Sequence, residues 1–351
     1  MEQSETKDIE SNTESGRTLA SIQAVAALNA HPNADNLEIA TVLGWPVIVR
    51  RGEVQVGQKI VYLEIDSMVS VDVEWLPVAV KDRIIREHIK DKFRVKTIRL
   101  RGEISQGLIV SLLSHMKNLD IGVDVTDALS ITKYEPPALT GKFALYQSKR
   151  VGDFPVHLLK KTDEHRIQSR PQYLTQITGQ PYYMTVKMEG TSATYLIDPE
   201  TGELTVCSRN MKRGRLENFN ICPYWYVVNK YKLEEKLLAN PHMAIQCEIC
   251  GPLIQGNLLG LKDLHIYVFN VVDLRTGVRC DYNKLLDFCK QADLPTAPIE
   301  EEGPSFNYTT IKQLLEKARG NYAGTKNARE GLVVRTLDSI LSFKVINNDY
   351  L

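Results

Sequence analysis

The first part of the chain alternates apolar and polar residues over short stretches, in the pattern of β-strands. Runs rich in β-branched residues recur between turn residues, at 21–27, 38–43, 47–49, 59–65, 93–100 and 107–112. One patch with helical spacing interrupts them at 80–89. Short strands at regular spacing predict a small β-barrel, such as an OB-fold, over residues 18–130.

The rest of the chain mixes strand and helix periods without a regular βαβ order. Strand-like runs lie at 182–186, 193–198, 204–208, 243–249, 264–272, 331–335 and 340–346, and helical patterns lie at 225–238, 283–291 and 311–318. This mixture predicts an α+β domain over residues 151–351. Residues 131–150 contain two adjacent prolines and predict a linker, and the polar residues 1–17 predict a disordered tail.

Composition excludes several classes of protein. Hydrophobic residues make up 43% of the 351 positions and charged residues 25%, as in ordinary globular domains. No apolar run reaches the about 18 residues of a membrane-spanning helix, and the N-terminus lacks the apolar core of a secretory signal. We therefore expect an intracellular protein, cytoplasmic or nuclear, without a membrane partner. The zero net charge excludes a general polyanion binder but leaves local basic patches open.

The six cysteines all lie in the second half of the chain. They are too few for a disulfide scaffold, so we expect free thiols in a reducing compartment. Cys247 and Cys250 have the spacing of a zinc-binding pair, but no second such pair accompanies them. Packing of both thiols within a strand is the favoured interpretation, and a zinc site is the alternative.

Two basic stretches are candidate nucleic-acid contacts. In the first, Arg94 and Lys96 share one face of a predicted strand, and after a shift of one residue Arg99 and Arg101 share a face. A strand face of cations can follow a phosphate backbone, although a charged edge strand has the same pattern. The second stretch, at 212–215, is either an RNA contact or a solvated loop.

Lys187 is the most unusual charged residue of the predicted strands. It follows the β-prone run Tyr182–Val186 and precedes a turn at Gly190, after which a second strand begins. Burying an unpaired ammonium group costs several kcal/mol, so a lysine here must be neutralised or used. Glu189, two residues on, shares its strand face. The pattern predicts a nucleophilic lysine beside a carboxylate.

Five further positions fit the same chemistry, which is nucleotidyl transfer. They are the cation Arg209, the acid Glu248 in an apolar strand, the aromatic Phe269, the acid Glu330 before a strand, and Lys344 in an apolar strand. Attack on an α-phosphorus requires cations and a metal around the expelled pyrophosphate, carboxylates for ribose hydroxyls, and an apolar slot for the base.

These residues resemble, in order, the motifs of the covalent nucleotidyltransferases, which include DNA ligases, RNA ligases and capping enzymes. Lys187-Met-Glu-Gly190 resembles their KxDG signature, and the positions at 248, 269, 330–331 and 344 resemble motifs III, IIIa, IV and V. Residues 154–168, 251–257 and 342–347 are similar to the ATP-dependent RNA ligases of the Deinococcus and Naegleria type. Residues 102–107 resemble part of that family's OB domain, so the resemblance covers about residues 18–351.

The resemblance implies that the protein is an RNA ligase that uses ATP and Mg²⁺ or Mn²⁺. Lys187 would form a lysyl–AMP, AMP would pass to an RNA 5′-phosphate, and a 3′-OH would seal the ends. Glu189 and Glu330 would serve the metal or its bound water, Glu248 the ribose, and Phe269 the adenine face. The expected partner is RNA with 3′-OH and 5′-phosphate ends, in a nicked duplex, bound by a monomer.

The resemblance also implies that Lys344 grips the α-phosphate and that Arg209 and Arg166 contact the nucleotide or its phosphates. Two departures from the family pattern stand out. Ser342 replaces the first lysine of the Lys-x-Lys that relatives carry in motif V, and Glu189 replaces an aspartate. The alternatives are another covalent nucleotidyltransferase, either a DNA nick ligase or a capping guanylyltransferase, and a catalytically inactive RNA-binding relative.

Overall fold

The structure, a computed structural model, describes residues 17–134, 148–215 and 222–351. Residue contacts divide the chain into two units, Met1–Pro136 and Pro137–Leu351. The predicted tail, apart from Arg17, and most of the predicted linker lie outside the described residues. The domain bounds 18–130 and 151–351 therefore stay predictions.

The first unit is built from eleven described strands, one α-helix and one short 3₁₀-helix at Ser114–Met116. The strands are β1 Ala20–Ala24, β2 Ala27–Ala30, β3 Leu37–Val42, β4 Trp45–Arg50, β5 Lys59–Leu63, β6 Ser67–Ser70, β7 Lys92–Arg94, β8 Ile98–Leu100, β9 Glu103–Ser105, β10 Leu108–Ser111 and β11 Thr132–Lys133. Helix α1 spans Val78–Arg86. Small antiparallel sheets, β1-β5-β10, β2-β3-β4, β11-β6-β7 and β8-β9, surround apolar cores. Strand β4 illustrates how alternation forms these cores. Its apolar residues Trp45, Val47 and Val49 share one face and are buried, while their neighbours are more exposed.

Two of the predicted strands of this unit are interrupted. The run at 21–27 is β1 followed by β2, and the run at 93–100 is β7 followed by β8. Arg101 has a left-handed backbone (φ 47°) in the turn after β8. Arg94 bonds Asp66 and stacks on Tyr134 at 3.8 Å. The run at 94–101 is therefore divided between two strands and a turn, and its predicted nucleic-acid contact stays a prediction.

The second unit contains two antiparallel sheets. Its strands are β12 Arg150–Asp153, β13 Tyr182–Lys187, β14 Thr191–Ile197, β15 Leu204–Ser208, β16 Met211–Arg213, β17 Met243–Cys250, β18 His265–Asp273, β19 Val278–Arg279, β20 Ile299–Gly303, β21 Gly331–Thr336 and β22 Ser342–Ile346. A seven-stranded sheet has the order β12-β16-β15-β14-β17-β18-β19, and a four-stranded sheet has the order β20-β13-β21-β22.

Five described helices pack against these sheets. They are α2 Gln172–Ile177, α3 Pro223–Tyr231, α4 Leu233–Leu238, α5 Tyr282–Gln291 and α6 Ile311–Ala318. The single helix predicted at 225–238 is wrong, since Lys232 adopts a left-handed backbone (φ 52°) and separates α3 from α4. One core lies under the seven-stranded sheet and another under the four-stranded sheet. The α+β prediction for this unit is confirmed.

The cysteines of the described residues are free thiols. Cys247 and Cys250 are buried in β17, where a separation of three residues points their side chains to opposite sheet faces. Burial raises the pKa of both thiols. Within the described ranges, no group of three or more His, Cys, Asp or Glu side chains could hold a metal ion. No helix there is long and apolar enough to cross a membrane.

Candidate active site

The chain crosses from one sheet of the second unit to the other immediately after Lys187. This lysine ends β13 in the four-stranded sheet, and β14 in the seven-stranded sheet begins at Thr191. A cavity of about 430 Å³ lies at this crossing, a size that suits a small-molecule ligand. Every predicted site residue except Arg166 lines this cavity.

Gly190 is required because the turn passes very close to β17. A Cβ at this position would lie 2.4 Å from the carbonyl oxygen of Ile249 and 2.7 Å from Cγ of Glu248. Real Cβ atoms do not approach other atoms so closely, so a larger residue would displace the turn or Glu248. The glycine therefore brings Lys187 and Glu248 to the same cavity.

Strand register orders the cavity wall of the four-stranded sheet into three rows across β13, β21 and β22. The rows are Tyr183–Arg335–Ser342, Thr185–Val333–Lys344 and Lys187–Gly331–Ile346. Residues two apart on a strand share a face, so the three rows face the same side. Lys344 thus lies one row away from Lys187, and Arg335 lies in the next row beyond it.

Lys187 forms an ion pair inside the cavity. Its Nζ lies 2.7 Å from Oε1 of Glu330, the residue just before β21. The two side chains are 25% and 20% exposed, so solvent screens the pair only in part. Glu330 thus neutralises the strand lysine, and the lysine still opens to the cavity.

Glu189 has a different set of contacts from the predicted metal ligand. Its Oε1 accepts the backbone N–H of Gly256 at 2.8 Å, and its Oε2 accepts that of Leu258 at 3.1 Å. The buried carboxylate therefore anchors the loop after β17 to the turn that carries Lys187. Its predicted role toward a metal stays a prediction.

Burial shifts two ionisable groups of the cavity toward their neutral forms. Burial raises the pKa of Glu248 to about 8, Lys187 opposes this shift, and Glu330 adds to it. Burial also lowers the pKa of Lys344 to about 7, with help from the charges of Lys187 and Arg166. Both groups can therefore change charge near neutral pH, as functional groups in clefts often do.

These two shifts predict a stability minimum near pH 7–8 without nucleotide or metal. The free energy of unfolding falls from about pH 4.5 to 8, because folded Glu248 keeps a proton that the unfolded chain releases. It rises from about pH 7 to 10.5, because unfolded Lys344 keeps a proton that the folded chain releases. Each slope is at most about 1.4 kcal/mol per pH unit.

Urea unfolding at several pH values in EDTA checks this prediction. Glu248→Gln should remove the fall between pH 5 and 7, while the exposed Glu200→Gln should leave the parent curve unchanged. Parallel curves for the parent and Glu248→Gln would contradict the assignment.

A buried ion network that sequence reasoning missed lies beside Phe269, which lines the cavity. Arg335 donates to the carbonyl of Phe269 at 2.9 Å, to Oε1 of Glu164 at 3.1 Å and to Oγ of Ser342 at 3.1 Å. Arg279 also donates to Glu164 at 3.0 Å. Burial acts to raise the pKa of Glu164, but the two guanidinium groups outweigh it and hold the pKa low. The sequence sign of this network was Arg335, a charged residue at the end of the apolar run 331–335.

Arg209 and Arg166 approach the site differently. Arg209 lines the cavity, and its Nη2 lies 2.5 and 2.6 Å from the two oxygens of Asp163. Arg166 does not line the cavity, but its backbone forms a parallel bridge with Lys344. Arg166 is thus near the site through Lys344, and its contact with a nucleotide stays a prediction.

The second basic stretch has intramolecular partners. Lys212 lies 3.4 Å from Asp198, and Arg215 lies 3.2 Å from Glu234. Residues 211–213 form strand β16 and are partly buried, so the solvated-loop alternative does not hold for them, and the RNA contact stays a prediction.

Comparisons with known proteins agree with this architecture. A family model described as an OB-fold domain matches residues 19–112, and one described as RNA ligase matches residues 180–346. A search of curated proteins found no match.

Several solved structures are similar over nearly the whole chain. A Naegleria gruberi RNA ligase variant with ATP and Mn has 30% identity and a TM-score of 0.81, covering 95% of this chain and 98% of that one. The same enzyme with PPi has 30% identity and a TM-score of 0.80, covering 96% and 98%. A variant with AMP and Mn has 29% identity and a TM-score of 0.81, covering 95% and 98%.

The chain combines an OB-fold with a two-sheet domain, and Lys187 shares its cavity with Glu248, Phe269, Glu330 and Lys344. This arrangement places the chain in the class of covalent nucleotidyltransferases. Within that class, this chain belongs to the RNA ligase family.

Proposed function

We propose that this ATP-dependent RNA ligase joins 3′-OH and 5′-phosphate RNA ends through a covalent lysyl–AMP on Lys187. The observation that carries the proposal is the position of the Lys187 amine, in a cavity of nucleotide size, 2.7 Å from Glu330. Relatives of known structure contain ATP, AMP or PPi. The proposed class is RNA ligase (ATP), acting as an intracellular monomer on nicked duplexes.

The cavity suits ATP in its chemistry. Phe269 lines the cavity and can pack against the base, and the partly buried Glu248 can bond ribose hydroxyls. Lys344 lies in the row between Lys187 and Arg335, which bonds Phe269, so the α-phosphate of a nucleotide with its base at Phe269 would lie beside Lys344. Binding of that phosphate would favour the charged form of Lys344. Arg209 would contact the remaining phosphates, and so would Arg166, whose backbone pairs with Lys344.

The acidic residues fit a metal of a particular kind. Glu330 contacts Lys187, and both oxygens of Glu189 accept backbone N–H groups. These side chains therefore do not form a complete cage, but Glu330 can hold a Mg²⁺ or Mn²⁺ that keeps several waters and phosphate oxygens. When bound, such a metal supplies positive charge that stabilises the developing charge on phosphorus.

The first step forms the lysyl–AMP. Lys187 must lose a proton before it attacks, and the Glu330 carboxylate is the group placed to hold that proton. The amine nitrogen of Lys187 bonds the α-phosphorus, the bond to the bridging oxygen breaks, and pyrophosphate leaves with the electron pair. Lys344 and Arg209 stabilise charge on the phosphate oxygens.

The remaining steps transfer AMP and seal the strand. An oxygen of the RNA 5′-phosphate attacks the lysyl–AMP, and the lysine nitrogen leaves and takes up a proton. The 3′-OH then attacks the activated 5′-phosphate and forms the phosphodiester, and AMP leaves. Each step moves AMP or phosphate without an oxidant or a reductant.

Incubation of the full chain with α-³²P-labelled ATP or GTP and Mn²⁺ tests the proposal. We expect a label from ATP that survives denaturation, and when a nicked duplex is added the label should pass to the RNA 5′ end and leave as free AMP while the RNA is sealed. Labelling by GTP alone would indicate a capping enzyme, and sealing only with DNA at the 3′-OH side would indicate a DNA nick ligase. If neither nucleotide labels the chain and pyrophosphate releases no AMP from it, the protein is an inactive RNA-binding relative.

A further inference from the structure

The hydroxyl of Tyr322 bonds the backbone of both members of the Lys187–Glu330 ion pair. It donates to the carbonyl oxygen of Lys187 at 2.9 Å and accepts the backbone N–H of Glu330 at 3.1 Å. A single phenol thus connects the end of β13 to the residue that precedes β21.

The position of this phenol matters because the strand ladder stops there. The last paired residues of β13 and β21 are Lys187 and Gly331. Beyond them the chain turns through Gly190 into the other sheet, so no further ladder bond fixes the spacing of the lysine and the acid. The Tyr322 hydroxyl supplies that restraint at the end of the ladder.

Tyr322 is itself held firmly. It is 4% exposed and packs with Met188 and Cys250. Its backbone N–H donates to Asn327, whose side chain donates to the carbonyl of Leu258 at 2.8 Å. Leu258 is also one of the residues that Glu189 anchors. The phenol, the turn after Lys187 and the loop after β17 therefore form one connected network.

Hydrogen bonds also hold together the two ends of the loop that carries Tyr322, because Arg329 bonds the residues that end α6 and follow it. The buried Arg329 donates to the carbonyl oxygens of Lys317, Ala318 and Arg319. Burial raises the pKa of Tyr322, so the group remains a hydroxyl that both donates and accepts.

We propose that Tyr322 is a positioning residue that sets the distance between the Lys187 amine and the Glu330 carboxylate. The inference rests on the proposed function, because it assigns the phenol a part in lysyl–AMP formation. Loss of the hydroxyl releases both backbone bonds and lets the nucleophile shift relative to its acid. A displacement of 1 Å at a reacting group can cost about 100-fold in rate.

Single-turnover formation of the lysyl–AMP in Tyr322→Phe tests the proposal. At saturating ATP and Mn²⁺ we expect the rate constant to fall about 10- to 100-fold. The reactive fraction and the ATP concentration at half-saturation should stay within about twofold, because the phenol contacts neither base nor phosphate in this assignment. Tyr308→Phe is the matched control. The Tyr308 hydroxyl donates to Glu301 at a distance of 3.1 Å, and Tyr308 does not line the cavity. It should keep the parent rate constant.

A second measurement does not depend on activity. The pH profile of chemical acetylation of Lys187, followed by mass spectrometry without ATP, should change in Tyr322→Phe and stay unchanged in Tyr308→Phe. An unchanged profile, a parental rate constant, or a loss confined to the reactive fraction would each overturn the proposal. Absence of any label in the parent protein would instead contradict the proposed function, and the acetylation profile would still test the phenol.

Discussion

Lys187→Arg is expected to abolish formation of the lysyl–AMP while leaving the fold intact. Arginine keeps a positive charge that can pair with Glu330, but its guanidinium does not lose a proton in proteins. The variant therefore removes nucleophilicity and preserves most of the electrostatics of the cavity. We expect a loss of at least about 10⁴-fold in covalent labelling, the scale seen when a covalent nucleophile is removed.

Sealing of an RNA that already carries a 5′-adenylyl group separates this role from binding. The last step needs no lysine nucleophile, so Lys187→Arg should keep a measurable fraction of the parental rate on that substrate. Lys160→Arg is the matched control, because Lys160 is exposed and should label as the parent does. Covalent labelling of Lys187→Arg above the background of Lys187→Ala would contradict the assignment of the nucleophile.

Much of the candidate site could be predicted from the sequence because its chemistry is carried by short local patterns. Lys187 and Gly190 belong to one turn, and Glu248 and Lys344 are charged residues inside apolar strands. Such positions are conspicuous, since an unpaired charge in a strand costs free energy unless it is used. The structure places these side chains around one cavity.

The contacts that support those residues could not be predicted in the same way. Glu164 and Arg335 meet across 171 positions of sequence, and nothing local in either segment indicates the other. Tyr322 lies in a loop, where a tyrosine has many possible roles. A left-handed residue at a helix end is usually glycine, but here it is Lys232. The sequence therefore gives no sign of the break between α3 and α4.

The buried network of Arg335 and Glu164 explains why Ser342 occupies its position. Its hydroxyl accepts a hydrogen bond from Arg335, directly across the β21–β22 pair. A lysine at this position would place a second cation beside that guanidinium, and like charges in a buried site repel. Ser342 therefore suits a chain in which Arg335 occupies this end of the cavity.

Arg335→Met is expected to cause the largest loss of stability. Arg335 is 2% exposed and holds Glu164, Phe269 and Ser342, which belong to three different segments. Removing one partner of a buried ion pair costs about 3–5 kcal/mol, because the remaining charge keeps its desolvation penalty. Arg279 still pairs with Glu164, so we expect about 3 kcal/mol in urea unfolding.

The matched control is Arg275→Met, because Arg275 pairs with Asp273 at the end of β18 but is 66% exposed. Exposed ion pairs contribute at most about 1 kcal/mol, so this variant should remain close to the parent. Adding Glu164→Gln to Arg335→Met should recover part of the loss, since the uncompensated carboxylate is then gone. Equal losses in the two arginine variants would contradict the buried network. ATP binding should weaken in Arg335→Met and not in Arg275→Met, because Arg335 bonds the carbonyl oxygen of Phe269.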